Sequence, residues 1–318
     1  MTNRRTFLTT LAAGAAARGA SLTSRERIDR VLKGGTPDRV PFTLWHHFGL
    51  EKEGPERHAQ ATIAFHRNYS TDLVKVMSDF PYPAPAGPWH QARVVASPFP
   101  QQLKALELVR AAVAKNAHFV ETIFNPWNVA EKLSSPKEVL ALMREQPQAL
   151  LNALEAIARS EANHARLAVE RGASGVFLAI ANAQDGILTR EEYKKFSEPF
   201  DRMVLDAVRS APLNILHLHG DKVYLEHFFQ GWPAAAAINY GAAGTGYSLE
   251  KARRGYGGVL LGGADERIYR NRSVEQLRAD LKAAIGVVGP KLIFTPGCSV
   301  PDDSQPAELA RMAKAVIA

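Results

Sequence analysis

The feature that most limits how this chain can fold is a regular alternation of short apolar runs with longer amphipathic stretches. Apolar runs fall at 42–45, 72–77, 118–124, 175–180, 213–218, 235–240, 258–262 and 291–295. Helical patterns fill most of the intervals, at 56–68, 102–115, 148–171, 190–209, 222–230, 248–254 and 273–287, and another closes the chain at 306–317. Several runs, such as 175–180, are continuously apolar, as expected when both faces of a parallel sheet are buried. A segment at 22–32 has helical spacing, with Thr23 or Ser24 as its N-cap and Gly34 and Gly35 as its stop. Eight strand-then-helix units behind such a helix predict an α/β fold, a (β/α)8 TIM barrel with an N-terminal capping helix spanning 21–318. A doubly wound open sheet is the competing topology.

Composition removes several function classes. Lys and Arg exceed Asp and Glu by a net charge of +7, yet they are spread along the chain without a basic run, which argues against nucleic acid as partner. No apolar run reaches the ~20 residues a membrane span needs. With one cysteine, Cys298, no internal disulfide can form. The N-terminus is more specific. Asn3, Arg4, Arg5, Thr6, Phe7 and Leu8 precede a small apolar run at 9–17, the form of a twin-arginine export signal, with Ala15, Ala16 and Ala17 as a cleavage site. Residues 1–20 are therefore expected to be a leader, and the mature chain periplasmic or otherwise extracytoplasmic. The alternative is a basic tail on a cytoplasmic protein.

In such a barrel the site lies at the carboxyl ends of the strands, so polar residues just beyond each run are the candidates. His217 and His219 are two apart on one run and share a face, while Leu216 and Leu218 face away. If the fold brings the loop of Cys298 beside them, the set is two imidazoles and a thiolate, ligand types that zinc prefers. The competing reading is two hydrogen-bonded histidines and an unrelated thiol. Asp79 follows the second run and is a candidate for catalysis or substrate binding. His46 and His47 follow the first; being adjacent, at most one of them faces inward. Asn239 and Tyr240 end the sixth run and are the candidates for holding a cofactor, or they satisfy buried polar groups. Asp265 and Glu266 read as a hydrogen-bonded rim. The glycine-rich loop 241–246 lacks the lysine of a P-loop and reads as a flexible connection.

Four stretches carry a family resemblance: Arg27, Leu32 and Gly34 followed by Pro37, Asp38, Arg39, Val40 and Pro41; Met77, Ser78 and Asp79; His217, Leu218, His219 and Gly220; and Pro296 through Asp302 around Cys298. Together they resemble the uroporphyrinogen decarboxylase superfamily, which includes zinc-dependent methyltransferases working with corrinoids. The resemblance implies the same barrel over 22–318. The arginine-rich segment by which the decarboxylases hold substrate carboxylates is replaced here by Trp45, His46, His47, Phe48, Gly49 and Leu50. Asp79 matches the aspartate that gathers pyrrole N–H groups, whereas Cys298 stands in place of a late histidine. The methyltransferase branch carries His-x-Cys and a later Cys where this chain has His217, His219 and Cys298.

The resemblance thus implies Zn2+ held by those three residues, with Asp79 and one of His46 or His47 orienting a small-molecule substrate. It also implies a thiol acceptor or a corrinoid, free or carried on a protein, as co-substrate. The alternative enzyme is a decarboxylase of uroporphyrinogen or a related pyrrole acid. From another class comes an exported, non-catalytic binder of a tetrapyrrole, corrinoid or metal. A homodimer is left open.

Overall fold

The computed structural model describes residues 21–50 and 52–317, so the expected leader with Arg4 and Arg5 lies outside the described residues. Seven strands form one parallel sheet in chain order: β1 (Leu73–Val76), β2 (His118–Phe124), β3 (Val176–Ile180), β4 (Ile215–Leu218), β5 (Ala237–Tyr240), β6 (Val259–Ala264) and β7 (Leu292–Pro296). The sheet curls until its two edges meet across residues 41–43. Phe294 donates its N–H to Pro41 O at 2.8 Å, Thr43 donates to Phe294 O at 3.1 Å, and Asp72 donates to Phe42 O at 2.6 Å.

The eighth expected strand, at 42–45, is therefore corrected to one parallel bridge between Phe42 and Phe294. Pro41 has no N–H to give to a ladder, and the Phe42 N–H is taken by Asp72 Oδ2 at 2.9 Å. Asp72 is fully buried and also receives Arg27 at 3.1 Å and Arg39 at 3.0 Å. Arg27 in turn holds Asp38 at 2.7 and 2.9 Å. These residues bind the incoming chain to the start of β1, which is the physical content of the Arg27 to Pro41 motif.

Inward and outward positions alternate along every strand. The first inward residues, Leu73, Val120, Phe177, Ile215, Ala237, Val259 and Ile293, form an apolar floor, which helix α1 (Ser24–Leu32) joins through Ile28 and Val31. Two residues further along, the interior turns polar, with Lys75, Thr122, His217, Asn239 and Thr295. Residues of the opposite parity, among them Leu216, Leu218, Ile238, Tyr240 and Leu260, pack outward in the cluster that includes the surrounding helices. Among the described residues, no helix is long and apolar enough to cross a membrane.

Removing Asp72 leaves Arg27 and Arg39 short of a buried counter-charge. Asp72→Ala is expected to lower stability by about 3 kcal/mol, read as a lower urea midpoint at unchanged slope. An unchanged midpoint would show that the network does not hold the barrel closed.

Candidate functional site

The structure brings His217, His219 and Cys298 together: one ligand atom from each lies within 4.8 Å of the others. Cys298 Sγ stands 3.3 Å from His219 Nδ1 and 3.7 Å from His217 Nε2. Tetrahedral neighbours with metal–nitrogen bonds of ~2.0–2.1 Å and metal–sulfur bonds of ~2.3 Å would stand roughly 3.3–3.7 Å apart. The donor set and its two sulfur–nitrogen distances fit a zinc-type ion.

Each ligand is held from behind. Asn239 is fully buried, and its Nδ2 donates to two carbonyls that can only accept, Leu261 O and Pro296 O, both at 3.1 Å. Its Oδ1 is thereby turned to His217 Nδ1, at 2.6 Å. His217 must donate from Nδ1, which leaves Nε2 as the ring atom that faces the site. The ring also stacks on Phe177, with centroids 5.0 Å apart.

The His219 carbonyl accepts from Gln184 Nε2 at 3.1 Å. The loop of Cys298 is fixed by Glu266, whose Oε2 accepts the Gly297 N–H at 2.9 Å. Gly297 can only be glycine, since a Cβ there would come within 2.3 Å of the Gly241 Cα.

Burial pushes the Cys298 thiol up, but hydrogen bonds and charge from His217 and His219 more than offset this and bring it down to about 4. The hydrogen bond that His219 donates to Cys298 holds its imidazole above the ordinary value, against burial and with help from Glu266 and Asp221. Cys298 is thus held as a thiolate beside His219.

Asp79 sits in a separate cluster. Its Oδ1 pairs with His47 Nδ1 at 3.0 Å, and His58 Nε2 approaches Oδ2 to 3.4 Å. Burial pushes Asp79 up, but the two rings hold it well below the usual carboxylate range. His58, on helix α2 (Gly54–Tyr69), is buried and has no strand-end position to reveal it in the sequence. Of the adjacent pair, His47 faces the barrel mouth, while His46 turns away to pack edge-on against Phe48 and Phe65, and burial lowers its pKa.

Asn239 and Tyr240 line neither cavity described below. Adjacent strand residues face opposite ways, so Asn239 stands behind His217 while Tyr240 packs outward, its hydroxyl on Ser248 O at 3.3 Å. Neither is placed to touch a cofactor directly.

Two cavities meet at His219 and Cys298. The inner one, about 430 Å³, is walled by Trp45, Phe124 and Phe177 and also touches His47 and His217. The outer one, about 540 Å³, is bordered by Asp185, Asp221, Glu266 and Arg267. Lys75, which the strand-end reading passed over, lines the inner cavity from within β1. Its one hydrogen-bond partner among the described residues is Met77 Sδ at 3.0 Å. Its Nζ lies 4.6 Å from the Phe177 ring centroid and 5.5 Å from that of Trp45. Burial pushes Lys75 down to about 7, with Cys298, Asp79 and Glu121 resisting. The signal was available, because Lys75 is the one charge in the otherwise apolar run 73–77.

The family model described as Uroporphyrinogen decarboxylase (URO-D) matches residues 89–318. The chain belongs to the uroporphyrinogen decarboxylase family. No curated protein matches it by sequence. Among solved structures, a methyltransferase from Methanosarcina mazei is similar over 93% of this chain and 98% of its own, at 19% identity and a TM-score of 0.74. A B12-independent methionine synthase from Shewanella sp. W3-18-1, in complex with selenomethionine, is similar over 88% of this chain and 92% of its own, at 11% identity and a TM-score of 0.58. At these identities the likeness shows a shared fold, that of an α/β enzyme family with a curled parallel sheet.

Cys298 is the chain's one cysteine, so its ionisation can be read by alkylation. An ordinary thiol, with a pKa of ~8.5, loses roughly 75-fold in thiolate between pH 8 and pH 6. In chelator-treated protein, the iodoacetamide rate at Cys298 is expected to change by less than about twofold over that range, because its lowered pKa keeps it ionised. A loss of the ordinary size would contradict the lowered thiol.

Proposed function

We propose that the chain is a metal-dependent methyltransferase of this family, with Zn2+ held by His217, His219 and Cys298. What carries the reading is the convergence of three ligand atoms, two nitrogens and a sulfur, at the wall between two cavities. Bound there, the ion would supply Lewis acidity that lowers the pKa of a thiol or alcohol.

The chain's own residues do the rest. Asn239 fixes the His217 ring so that only its orientation toward the site is available, and Glu266 anchors the Cys298 loop. Trp45, Phe124 and Phe177 exclude water from the inner cavity, which we assign to the smaller substrate. The outer, more polar cavity is assigned to the co-substrate, a methylated corrinoid or a thiol. Asp79 keeps the His47 ring oriented at the mouth, where it can hold a proton near the reacting atoms.

The decarboxylase alternative leans on Asp79, but that side chain is 1% exposed and its Oδ1 is already paired with His47. Pyrrole N–H groups reaching that oxygen would have to displace the His47 ring.

Metal analysis of purified full-length chain is expected to find about one zinc per chain. Cys298→Ser should lose it, and methyl transfer from methylcobalamin to homocysteine should fall at least ~100-fold, beyond the 10–100-fold typical of outer-shell losses. Metal-free wild type, or full activity in Cys298→Ser, would remove the proposal.

A further inference from the structure

Lys75 has no part in the proposed metal site, yet it stands inside the same cavity. It is 8% exposed and faces the barrel interior between the apolar floor and the mouth. Among the described residues its Nζ has a thioether and two aromatic faces for company. A buried ammonium is stable only when paired and hydrogen-bonded, and aromatic faces and a thioether return only part of what water supplied. The carboxylates that act on it, Asp79 and Glu121, do so without contact, and each is engaged elsewhere: Asp79 by His47, Glu121 by His164 at 2.9 Å and Gln102 at 2.9 Å. Lys75 is therefore an amine with no anion in contact, and the side left open to one is the cavity it lines.

The rest of that cavity defines what such a partner looks like. Its walls are apolar and aromatic, its volume of about 430 Å³ suits a molecule of small-ligand size, and its far side carries Cys298 and His219. A second amine, Lys132, lies over the Phe124 ring and borders the same space.

We infer that Lys75 is the anion anchor of the inner cavity, so that the smaller substrate is a compact apolar molecule bearing a carboxylate, held with its uncharged end toward His219 and Cys298. This rests on assigning the inner cavity to the smaller substrate of the proposed transfer. In this arrangement Lys75 sets which molecule binds and which way round. It makes no bond to the reacting atoms and is a positioning and specificity residue.

The test uses probes of matched shape that differ in charge: benzoate against benzamide, and hexanoate against hexanamide. Full-length protein is titrated with each by calorimetry, both as purified and after chelator treatment. Wild type is expected to favour the acid over the amide by at least tenfold in one or both pairs, in both metal states. Lys75→Met, which keeps the stem and meets Met77 and Phe177 with a thioether, is expected to bind acid and amide within about twofold of each other while retaining its metal content.

A preference that vanishes on chelation alone would place the carboxylate on the metal and overturn the anchor. An unchanged preference in Lys75→Met, or none in wild type, would overturn it as well. A crystal structure of wild type with the preferred acid needs no variant. The carboxylate should lie within hydrogen-bond distance of Lys75 Nζ, and any other location contradicts the inference. Failure of the metal assignment would instead appear as absent zinc with the acid preference intact, so the two outcomes are separable.

Discussion

The site depends on one side chain that touches no substrate. Asn239, on β5, donates to the carbonyls of Leu261 on β6 and Pro296 on β7 and accepts from His217 on β4. A single buried amide therefore ties four consecutive strands at the level where the barrel interior turns from apolar to polar. Its donors are spent on backbone groups that can only accept, so its oxygen has one direction left, and the His217 tautomer follows from that. A residue whose polar atoms were less completely used would leave the ring free to turn, and with it the Nε2 atom that faces Cys298.

The barrel supplies the remaining conditions. Aromatic residues line the cavity beneath the ligands, and their low-dielectric walls strengthen every charge interaction there and make unpaired charges costly. The thiolate of Cys298 lies beside His219, and the carboxylate of Asp79 pairs through Oδ1 with His47. Lys75 is the member of this interior left without a partner of opposite charge in contact. The open side of its amine faces the inner cavity, and so whatever enters it.

Much of this was legible in the sequence, and the failures have physical causes. Continuous apolar runs such as 175–180 read directly as strands buried on both faces, and the two-residue spacing of His217 and His219 placed both rings on one face. Residues 42–45 did not become a strand, because Pro41 cannot donate and Asp72 captures the next N–H. The helix expected over 190–209 divides into Arg190–Phe196 and Glu198–Asp206, where Pro199 removes a backbone donor. The segment 222–230 forms only a short 3-10 turn at Leu225–Phe228. Asn239 was legible as a polar residue at a strand end, but its place behind His217 depends on three partners from three strands, which no local pattern encodes. His58 reaches Asp79 from a helix, outside any strand-end rule.

The central claim, that His217, His219 and Cys298 hold one zinc with a position open for substrate, is tested most directly by X-ray absorption at the zinc edge. The account expects one sulfur at ~2.3 Å and nitrogen neighbours at ~2.0–2.1 Å, with a second sulfur appearing when a thiol substrate is added. A shell without sulfur, or one with four protein ligands that a thiol leaves unchanged, would contradict it.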